Sequence, residues 1–438
     1  MTPLRASHAG GSTARAVAVV VLATFLLAGP LGCLTTQVPP VGAQGPFHLE
    51  RDEARLWEQA KEEERQLREK APLYNDPILE DYLNDVARRL VPPEARDQGL
   101  LKIHVTAIKD PTLNAFTYPN GAVYIHTGLL ARVENESELA MVLGHEITHA
   151  TERHALRFTR SARNKMIGFS IASIIASIAV ANAAGKKAEQ GDWSSAYVIN
   201  QIGNLLVNLG LQLGFLAAVN GYGRELEREA DVGGLRDMVA AGYDPEQAPR
   251  VFELLKDDHG DSSKLEVFFF GSHPRLDERI ASTRELVQTE YEKTPAPRVT
   301  DTREFQMRTR VLVRDDAVLN LNDGRYGHAE FELKRVLDLT PNDPVAHDVY
   351  GQLYEKQAAE AKDPDEAARL TKQALDKYEE ASRLDSTYAD PYRAIGILRY
   401  KAGDRPEALA AFKRYLELKP AAADAQQVKD YILELEAP

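Results

Sequence analysis

Residues 135–151, NESELAMVLGHEITHAT, predict the helix around which the rest of the fold is organised. Asn135 and Glu138 have the spacing of a capping box, which marks the start of a helix. Apolar residues then recur at helical spacing and predict a packing face: Leu139, Leu143, Ile147 and Ala150. The polar residues of the last turns fall on the adjacent face. One side of this helix is therefore expected to pack, and the other to do chemistry.

The end of this helix carries His145, Glu146 and His149 in an HExxH pattern. Residues four apart are neighbours on a helix surface, so the two imidazoles can share one metal ion. Glu146 is then turned toward a water molecule beside that ion. The pattern is typical of zinc peptidases. A third ligand is still needed, because a catalytic zinc site has three protein ligands and one open position.

The third ligand does not follow directly along the chain. A metzincin continues with a glycine and a third histidine, but Glu152 and Ala155 occupy those positions. His154 is one residue out of step and is expected at the surface. A later predicted helix carries Glu227 and Asp231 four residues apart on one side. Glu227 can bind zinc there, while Asp231 accepts a hydrogen bond from a ligand histidine.

Composition narrows the possible partners. The 438 residues allow two or three domains, and a net charge of −13 argues against nucleic acid as a partner. We therefore expect a polypeptide substrate. Cys33 is the only cysteine, which excludes internal disulfides and zinc sites built from several thiolates.

Cys33 also closes a leader. An apolar run at 16–27 follows basic residues, and a glycine precedes Cys33, as in a secretory signal that ends at a lipid-modified cysteine. Pro30 departs from the usual lipobox, so an ordinary signal peptide or an uncleaved membrane anchor are the alternatives. We expect residues 1–33 to be a signal peptide ending at lipidated Cys33. The proline-containing residues 34–46 are expected to be a flexible tether.

The predicted catalytic region begins with charged helices at 47–70 and 76–90, which cover its core. Residues 101–108 alternate like a strand, and 114–125 contain a turn between two β-prone runs, which predicts a hairpin. The second arm of that hairpin is expected to be an open edge strand that hydrogen-bonds an extended substrate. A purely structural strand is the alternative. The residues of the expected edge strand are Val123, Tyr124 and Ile125.

Two long stretches without charged residues, 166–185 and 193–223, are each long enough to span a bilayer. Serine, asparagine and glutamine interrupt both stretches, which favours buried helices over membrane spans. A spanning pair would return the chain to the same side of the membrane. The metal site is therefore expected in either case.

Beyond a linker at 293–304, residues 305–438 contain tetratricopeptide repeats. The middle repeat has about eleven extra residues between its helices, around 363–368. We expect three stacked helical hairpins with a concave surface for a protein segment. The residues that match the template in the last repeat are Tyr392, Ile395, Gly396, Ala408, Phe412 and Pro420.

With these features, the sequence resembles the metallopeptidase family of HtpX, the CAAX prenyl proteases and the mitochondrial Oma proteases. The resemblance covers roughly residues 50–290 and is strongest for periplasmic members with C-terminal tetratricopeptides. It depends on three motifs that occur in the same order in the family. They are HExxH, Glu227-x-x-Ala230-Asp231, and His273-Pro274 with Arg279.

The resemblance implies an α+β chain. A mostly helical, zincin-like (gluzincin) catalytic domain with a small β-sheet is expected at 47–292, followed by an all-α tetratricopeptide solenoid. Glu146 is expected to be the general base, and Asp231 and Arg279 to support the ligands from behind. The expected ligands of one Zn²⁺ ion are His145, His149 and Glu227.

His273 has two possible roles in enzymes of this kind. It either donates a hydrogen bond to the oxyanion or acts as a latch that fills the fourth zinc position until substrate arrives. We favour the latch, because a protease beside unfolded clients benefits from restraint. A histidine that merely caps a loop is the third alternative.

The sequence therefore predicts a zinc endopeptidase in the periplasm, lipid-anchored to the outer membrane of a Gram-negative bacterium. Misfolded or stalled envelope proteins are the expected substrates, and the outer-membrane assembly machinery is an expected partner of the repeats. One alternative is a chaperone or adaptor with a mostly latched zinc site, although the intact Glu146 speaks against a degenerate site. The other is an integral membrane protease.

Overall fold

The described part of the chain combines one small sheet with many helices. A computed structural model describes residues 36–96, 98–164, 205–206, 209–216, 222–261, 276–293 and 302–437. Over these ranges the structure is mostly helical and has one three-stranded sheet, and the described residues from 302 onward form helices without strands. The fold class predicted from the sequence is thereby confirmed.

Within the described residues, three helices precede the sheet: α1 (Arg51–Lys70), α2 (Pro77–Leu90) and α3 (Pro93–Arg96). Helix α2 begins where the sequence predicts, because the Asp76 side chain accepts hydrogen bonds from two backbone N–H groups of the first turn. Its apolar face is buried as expected, and contacts β1. The residues of that face are Leu79, Tyr82, Leu83, Val86 and Leu90.

The sheet consists of β1 (His104–Ile108), β2 (Ala115–Thr117) and β3 (Ala122–His126). The strand order is β1-β3-β2. Strands β2 and β3 form the predicted antiparallel hairpin, and β1 pairs with β3 in parallel. The hairpin prediction is therefore confirmed.

The predicted substrate edge strand is wrong. Val123, Tyr124 and Ile125 lie in β3, which is the central strand and pairs with β1 on one side and β2 on the other. All three residues are fully buried. No edge of β3 is left for an extended peptide. An alternating sequence pattern predicts a strand, but it does not show on which side a parallel neighbour will join.

Helix α4 (Thr127–Arg132) follows β3 directly, and α5 (Glu136–Thr151) is the predicted metal helix. The Asn135 side chain accepts a hydrogen bond from the backbone N–H of Glu138 at 2.9 Å, as predicted. The Glu138 carboxylate accepts one from the backbone N–H of Glu134 at 2.6 Å, rather than from that of the cap residue. Every residue of α5 is buried, so this helix runs through the core.

After α5, the described helices of the catalytic part are α6 (His154–Asn164), α7 (Gln212–Phe215), α8 (Arg224–Ala240), α9 (Ala248–Asp261) and α10 (Leu276–Leu286).

Two glycines let α5 and α8 pack closely against each other. A Cβ atom on Gly144 of α5 would lie 3.0 Å from the backbone oxygen of Gly234 of α8. A Cβ atom on Gly234 would lie 2.7 Å from the backbone nitrogen of His145. Glycine at both positions lets the two backbones touch, which brings the carboxylates of α8 to the imidazoles of α5.

The segment predicted to be a flexible tether, 34–46, packs against the protein at residues 38–42. Val41 is buried, and its N–H donates to the carbonyl oxygen of Thr151 at 2.8 Å. The Arg153 guanidinium donates to the carbonyl oxygen of Pro39 at 3.0 Å. The tether prediction is wrong for these residues, because they form a turn that packs against the end of α5 and the residue before α6.

The C-terminal part consists of stacked helical hairpins, as the repeats predict. Helices α11 with α12, α13 with α14, and α15 with α16 form three hairpins, and α17 packs against the last. The extra residues of the middle repeat lengthen its two helices, and only residues 361–363 separate them. The helices are α11 (Thr302–Asn322), α12 (Tyr326–Leu339), α13 (Pro344–Glu360), α14 (Pro364–Leu384), α15 (Asp390–Lys401), α16 (Arg405–Leu418) and α17 (Ala425–Glu436).

The first repeat shares a hydrophobic core with the catalytic part. Phe305 and Leu333 belong to the same apolar cluster as residues of the sheet and of α4. The Arg335 guanidinium donates to the carbonyl oxygens of Ala131 and Val133 at the end of α4. The repeats are therefore fixed to the catalytic part. Most of the predicted linker, from 294 to 301, lies outside the described residues.

Several predictions concern segments that the structure does not describe. The leader with Cys33 lies outside the described residues. Most residues of the stretches 166–185 and 193–223 lie outside them as well. Among the helices that are described, none combines the length and apolar character needed to cross a membrane. The choice between buried and spanning helices at 166–223 stays a prediction.

Candidate metal centre

Three predicted ligands meet between α5 and α8. His145 and His149 lie one turn apart on α5, and Glu227 lies in the first turn of α8. The Nε2 atoms of the two imidazoles are 3.0 Å apart. The Oε2 atom of Glu227 is 3.4 Å from Nε2 of His145 and 3.7 Å from Nε2 of His149. All three residues are buried.

These separations fit one metal ion. Nitrogen and oxygen ligands bind zinc at about 2.0–2.2 Å, so a tetrahedral arrangement places neighbouring ligand atoms about 3.3 Å apart. The three observed distances lie close to that value. Two imidazoles and one carboxylate are also ligands that catalytic zinc accepts. Within the described residues, this is the one group of His, Cys, Asp or Glu side chains close enough together to hold a metal.

Asp231 and Arg279 support the His145 ring from behind. The Nδ1 atom of His145 lies 2.9 Å from Oδ1 of Asp231, so Nδ1 donates and Nε2 is left to bind a metal. Arg279 of α10 donates from Nε to Oδ2 of Asp231 at 2.8 Å. Its guanidinium also lies over the ring of Phe252, 4.2 Å from the centroid. Both predicted supporting residues are therefore placed beside the ligands.

The electrostatic environment of these groups favours a positive charge at the His145 ring. Burial opposes ionisation of Asp231, but the Arg279 guanidinium and the His145 ring outweigh burial and lower its pKa. Burial also opposes protonation of His145, but hydrogen bonds to Asp231 and Glu227 raise its pKa to about 9. A proton and a metal ion compete for the same imidazole nitrogen. The arrangement that holds a proton therefore also attracts a cation.

Glu146 is anchored to the sheet. The Thr117 hydroxyl, at the end of β2, donates to Oε2 of Glu146 at 2.9 Å, and both residues are buried. This bond fixes one carboxylate oxygen and leaves Oε1 for proton transfer. The sequence did not indicate Thr117, because only the strand order shows that β2, and not β3, reaches the metal helix.

The prediction that His154 lies at the surface is wrong. His154 is fully buried, and its Nδ1 atom lies 2.8 Å from Nδ1 of His149. Burial lowers the pKa of the His154 ring to about 4. The chain turns between α5 and α6 at Arg153, which has a φ of 58°. Helical spacing does not predict that turn, after which the His154 ring is buried.

Tyr222 also contacts the site and was not predicted. Its ring centroid is 4.9 Å from that of His149. Its backbone N–H donates to Oε1 of Glu227 at 3.1 Å, so the second oxygen of that carboxylate is also held. Burial, and next the nearby Glu146 and Glu227 carboxylates, raise the pKa of the Tyr222 phenol. The phenol therefore keeps its proton at neutral pH.

His273 and Pro274 lie outside the described residues. The choice between a latch, an oxyanion donor and a loop cap for His273 therefore stays a prediction. The remaining residue of that motif, Arg279, occupies the place described above.

Comparison with known proteins supports the resemblance. Residues 77–287 match the model of Peptidase family M48. The putative beta-barrel assembly-enhancing protease of Vibrio cholerae is 32% identical over 223 residues, which cover 50% of this chain and 42% of that protein. The beta-barrel assembly-enhancing protease of Escherichia coli is 32% identical over 224 residues, which cover 50% of this chain and 41% of that protein.

A mitochondrial relative matches over the same region. The mitochondrial metalloendopeptidase OMA1 of Schizosaccharomyces pombe is 30% identical over 217 residues, which cover 49% of this chain and 54% of that protein. The chain thus spans about two fifths to one half of the length of these three relatives.

Proposed function

Because this chain carries a domain of peptidase family M48, we propose that it is a zinc-dependent endopeptidase of the cell envelope that cleaves misfolded or stalled outer-membrane proteins. The observation that carries the proposal is the convergence of His145, His149 and Glu227 beside Glu146. The names of the relatives, proteases of β-barrel assembly and a mitochondrial metalloendopeptidase, support the reaction and the substrate class.

The side chains of the site have distinct roles in peptide hydrolysis. The two imidazoles and Glu227 would hold zinc, which when bound would supply Lewis acidity and lower the pKa of a water molecule to about 7. Glu146 takes a proton from the attacking water at Oε1 and passes it to the leaving amine nitrogen as the C–N bond breaks. The Thr117 hydroxyl holds Oε2 throughout, so the carboxylate keeps its orientation during both transfers.

The C-terminal hairpins contain a groove between neighbouring repeats. Side chains of α13 and α15 line a groove together with Tyr378, and its polar residues include Glu355 and Arg393. We infer that this surface holds a segment of a client or of the outer-membrane assembly machinery. Lipidation of Cys33 would keep the enzyme at the outer membrane, near such clients.

His273 is proposed as the regulatory latch of this site. Replacing it by alanine should raise basal proteolysis, because the fourth metal position would no longer be filled before substrate arrives. Loss of all turnover in the same variant would instead support the role of oxyanion donor.

The experiment that tests the proposed reaction is Glu146→Gln. An amide cannot accept the proton, so cleavage of casein or of an unfolded β-barrel protein should fall by about 10²–10⁴-fold while zinc content stays unchanged. Glu136→Gln is the matched control, because Glu136 lies at the other end of α5 and accepts hydrogen bonds from Tyr82 and Tyr243. Wild-type cleavage by Glu146→Gln would refute the proposed role.

A further inference from the structure

We propose that His154 is a positioning residue that orients the His149 ring for metal binding. The proposal rests on the proposed function, since it requires a metal ion at His149. Its geometric basis is the contact of 2.8 Å between the Nδ1 atoms of the two rings, both of which are buried.

Hydrogen-bond chemistry fixes the direction of this contact. Of two nitrogens in contact, one has to donate and the other has to accept. The Nε2 atom of His149 faces His145 and Glu227 at 3.0 and 3.7 Å, so its lone pair must stay available for the metal. The ring proton of His149 is therefore on Nδ1, and Nδ1 of His154 accepts it.

The Nε2 side of the His154 ring faces the Glu229 carboxylate. With Nδ1 accepting, a neutral His154 ring carries its own proton on Nε2, which faces Oε2 of Glu229 at 3.6 Å. Arg157 lies 2.8 Å from the same carboxylate and fixes its position. A carboxylate and an imidazole thus stand in series behind the His149 ligand, whereas a carboxylate alone stands behind His145.

The position of His154 is set by several independent contacts. Arg153, directly before it, adopts a φ of 58° and donates from Nε to Glu53 of α1 at 2.8 Å. The Tyr222 ring packs against both imidazoles, with centroids 4.9 Å from His149 and 6.3 Å from His154. A non-glycine residue keeps a left-handed conformation only where the surrounding structure holds it there. The turn therefore places the His154 ring with little freedom.

Two substitutions separate positioning from packing. In His154→Asn the amide oxygen occupies nearly the place of Nδ1 and can still accept from His149, whereas His154→Leu fills space but accepts nothing. His104→Leu is the control, because it is the same change at a partly exposed histidine that bonds Glu64, away from the metal centre. The readouts are the zinc dissociation constant of the full chain by chelator competition and the melting midpoint of the metal-free protein.

We expect His154→Leu to weaken zinc binding by about 10–100-fold. His154→Asn should stay within about threefold of wild type, and His104→Leu should match it. Unchanged binding in the leucine variant, or equal losses in the leucine and asparagine variants, would overturn the proposal. If the metal-free leucine variant does not melt cooperatively, His154→Gln replaces it with the same expected loss, because its amide lies one bond further out. Absence of zinc binding in the wild type would overturn the proposed function itself.

Discussion

Two buried polar clusters lie at opposite ends of the sheet, and the negative charges of their carboxylates are compensated in different ways. At the metal centre, reached from β2 through Thr117, the Glu227 carboxylate faces an imidazole and the Asp231 carboxylate faces a guanidinium. At the junction with the first repeat, reached from the end of β3 through Thr127, two carboxylates face each other. Asp316 of α11 and Glu332 of α12 are almost fully buried there, and the Asn320 amide donates to both.

The difference shows what distinguishes a site built for a cation from a polar contact built for packing. Burial and the mutual repulsion of the two carboxylates raise the pKa of Glu332 well above its usual range. Burial raises the pKa of Asp316 to about 7. The raised pKa values favour a protonated carboxyl group at the junction, whereas the candidate ligand atoms of the metal centre converge on one point.

The largest effect on stability is expected from Arg279→Met. Methionine keeps the contact with Phe252 but leaves Asp231 buried without its guanidinium, which should lower the free energy of unfolding by about 3–5 kcal/mol. Arg284→Met on the same helix is the control, because the ion pair of Arg284 with Glu253 is exposed and is worth about 0–1 kcal/mol. Urea denaturation of the metal-free proteins measures both changes. Equal losses would contradict the account of the metal centre.

The same change at the two ends of the sheet should separate activity from stability. Thr117→Val removes the hydrogen bond to Glu146 and should lower kcat about tenfold at unchanged KM. Thr127→Val removes hydrogen bonds to the backbone of Asp110 and should cost about 1–2 kcal/mol of stability without changing turnover of a short peptide. Steady-state kinetics and urea denaturation test the pair. A loss of turnover in Thr127→Val as large as in Thr117→Val would mean that the two clusters are not independent.

The effect of Asp316→Asn is expected to depend on pH and to vanish at acidic pH. A carboxyl group whose pKa is raised by folding holds a proton that the unfolded chain has released, so its stabilisation is lost as the pH rises from about 4 through about 7. Asparagine does not titrate and can still donate to Glu332. The variant should match wild type near pH 4 and become more stable than wild type as the pH rises to 8. A variant that is less stable than wild type at pH 8 would show that the junction carboxylates are ionised and paired with positively charged groups.

Local geometry made much of the molecule predictable. The i,i+4 spacing of a helix places His145 beside His149, and a side-chain cap starts α5 at Asn135. The tetratricopeptide template requires small residues at Gly351 and Gly396. A Cβ atom at these positions would lie 2.6 Å from the Tyr378 ring and 2.5 Å from the Phe412 ring. These features depend on neighbours in the sequence, so the sequence pattern contains them.

Features that depend on how distant segments meet could not be predicted in the same way. The burial of His154 depends on the turn at Arg153, and the role of Thr117 depends on a strand order that alternation does not encode. The approach of α8 to α5 depends on Gly144 and Gly234, which belong to no periodic pattern. The sequence therefore indicated the three candidate ligands with Asp231 and Arg279, but not the contacts that Thr117 and His154 make with the site.

The most direct test of the central claim is zinc content measured together with peptide cleavage, before and after chelation, for wild type and Glu227→Gln. We predict about one zinc ion per wild-type chain, loss of cleavage on chelation and recovery when zinc is restored. Glu227→Gln should bind zinc weakly and cleave poorly. Cleavage that persists in metal-free protein, or wild-type zinc affinity in Glu227→Gln, would contradict the assignment of the metal centre.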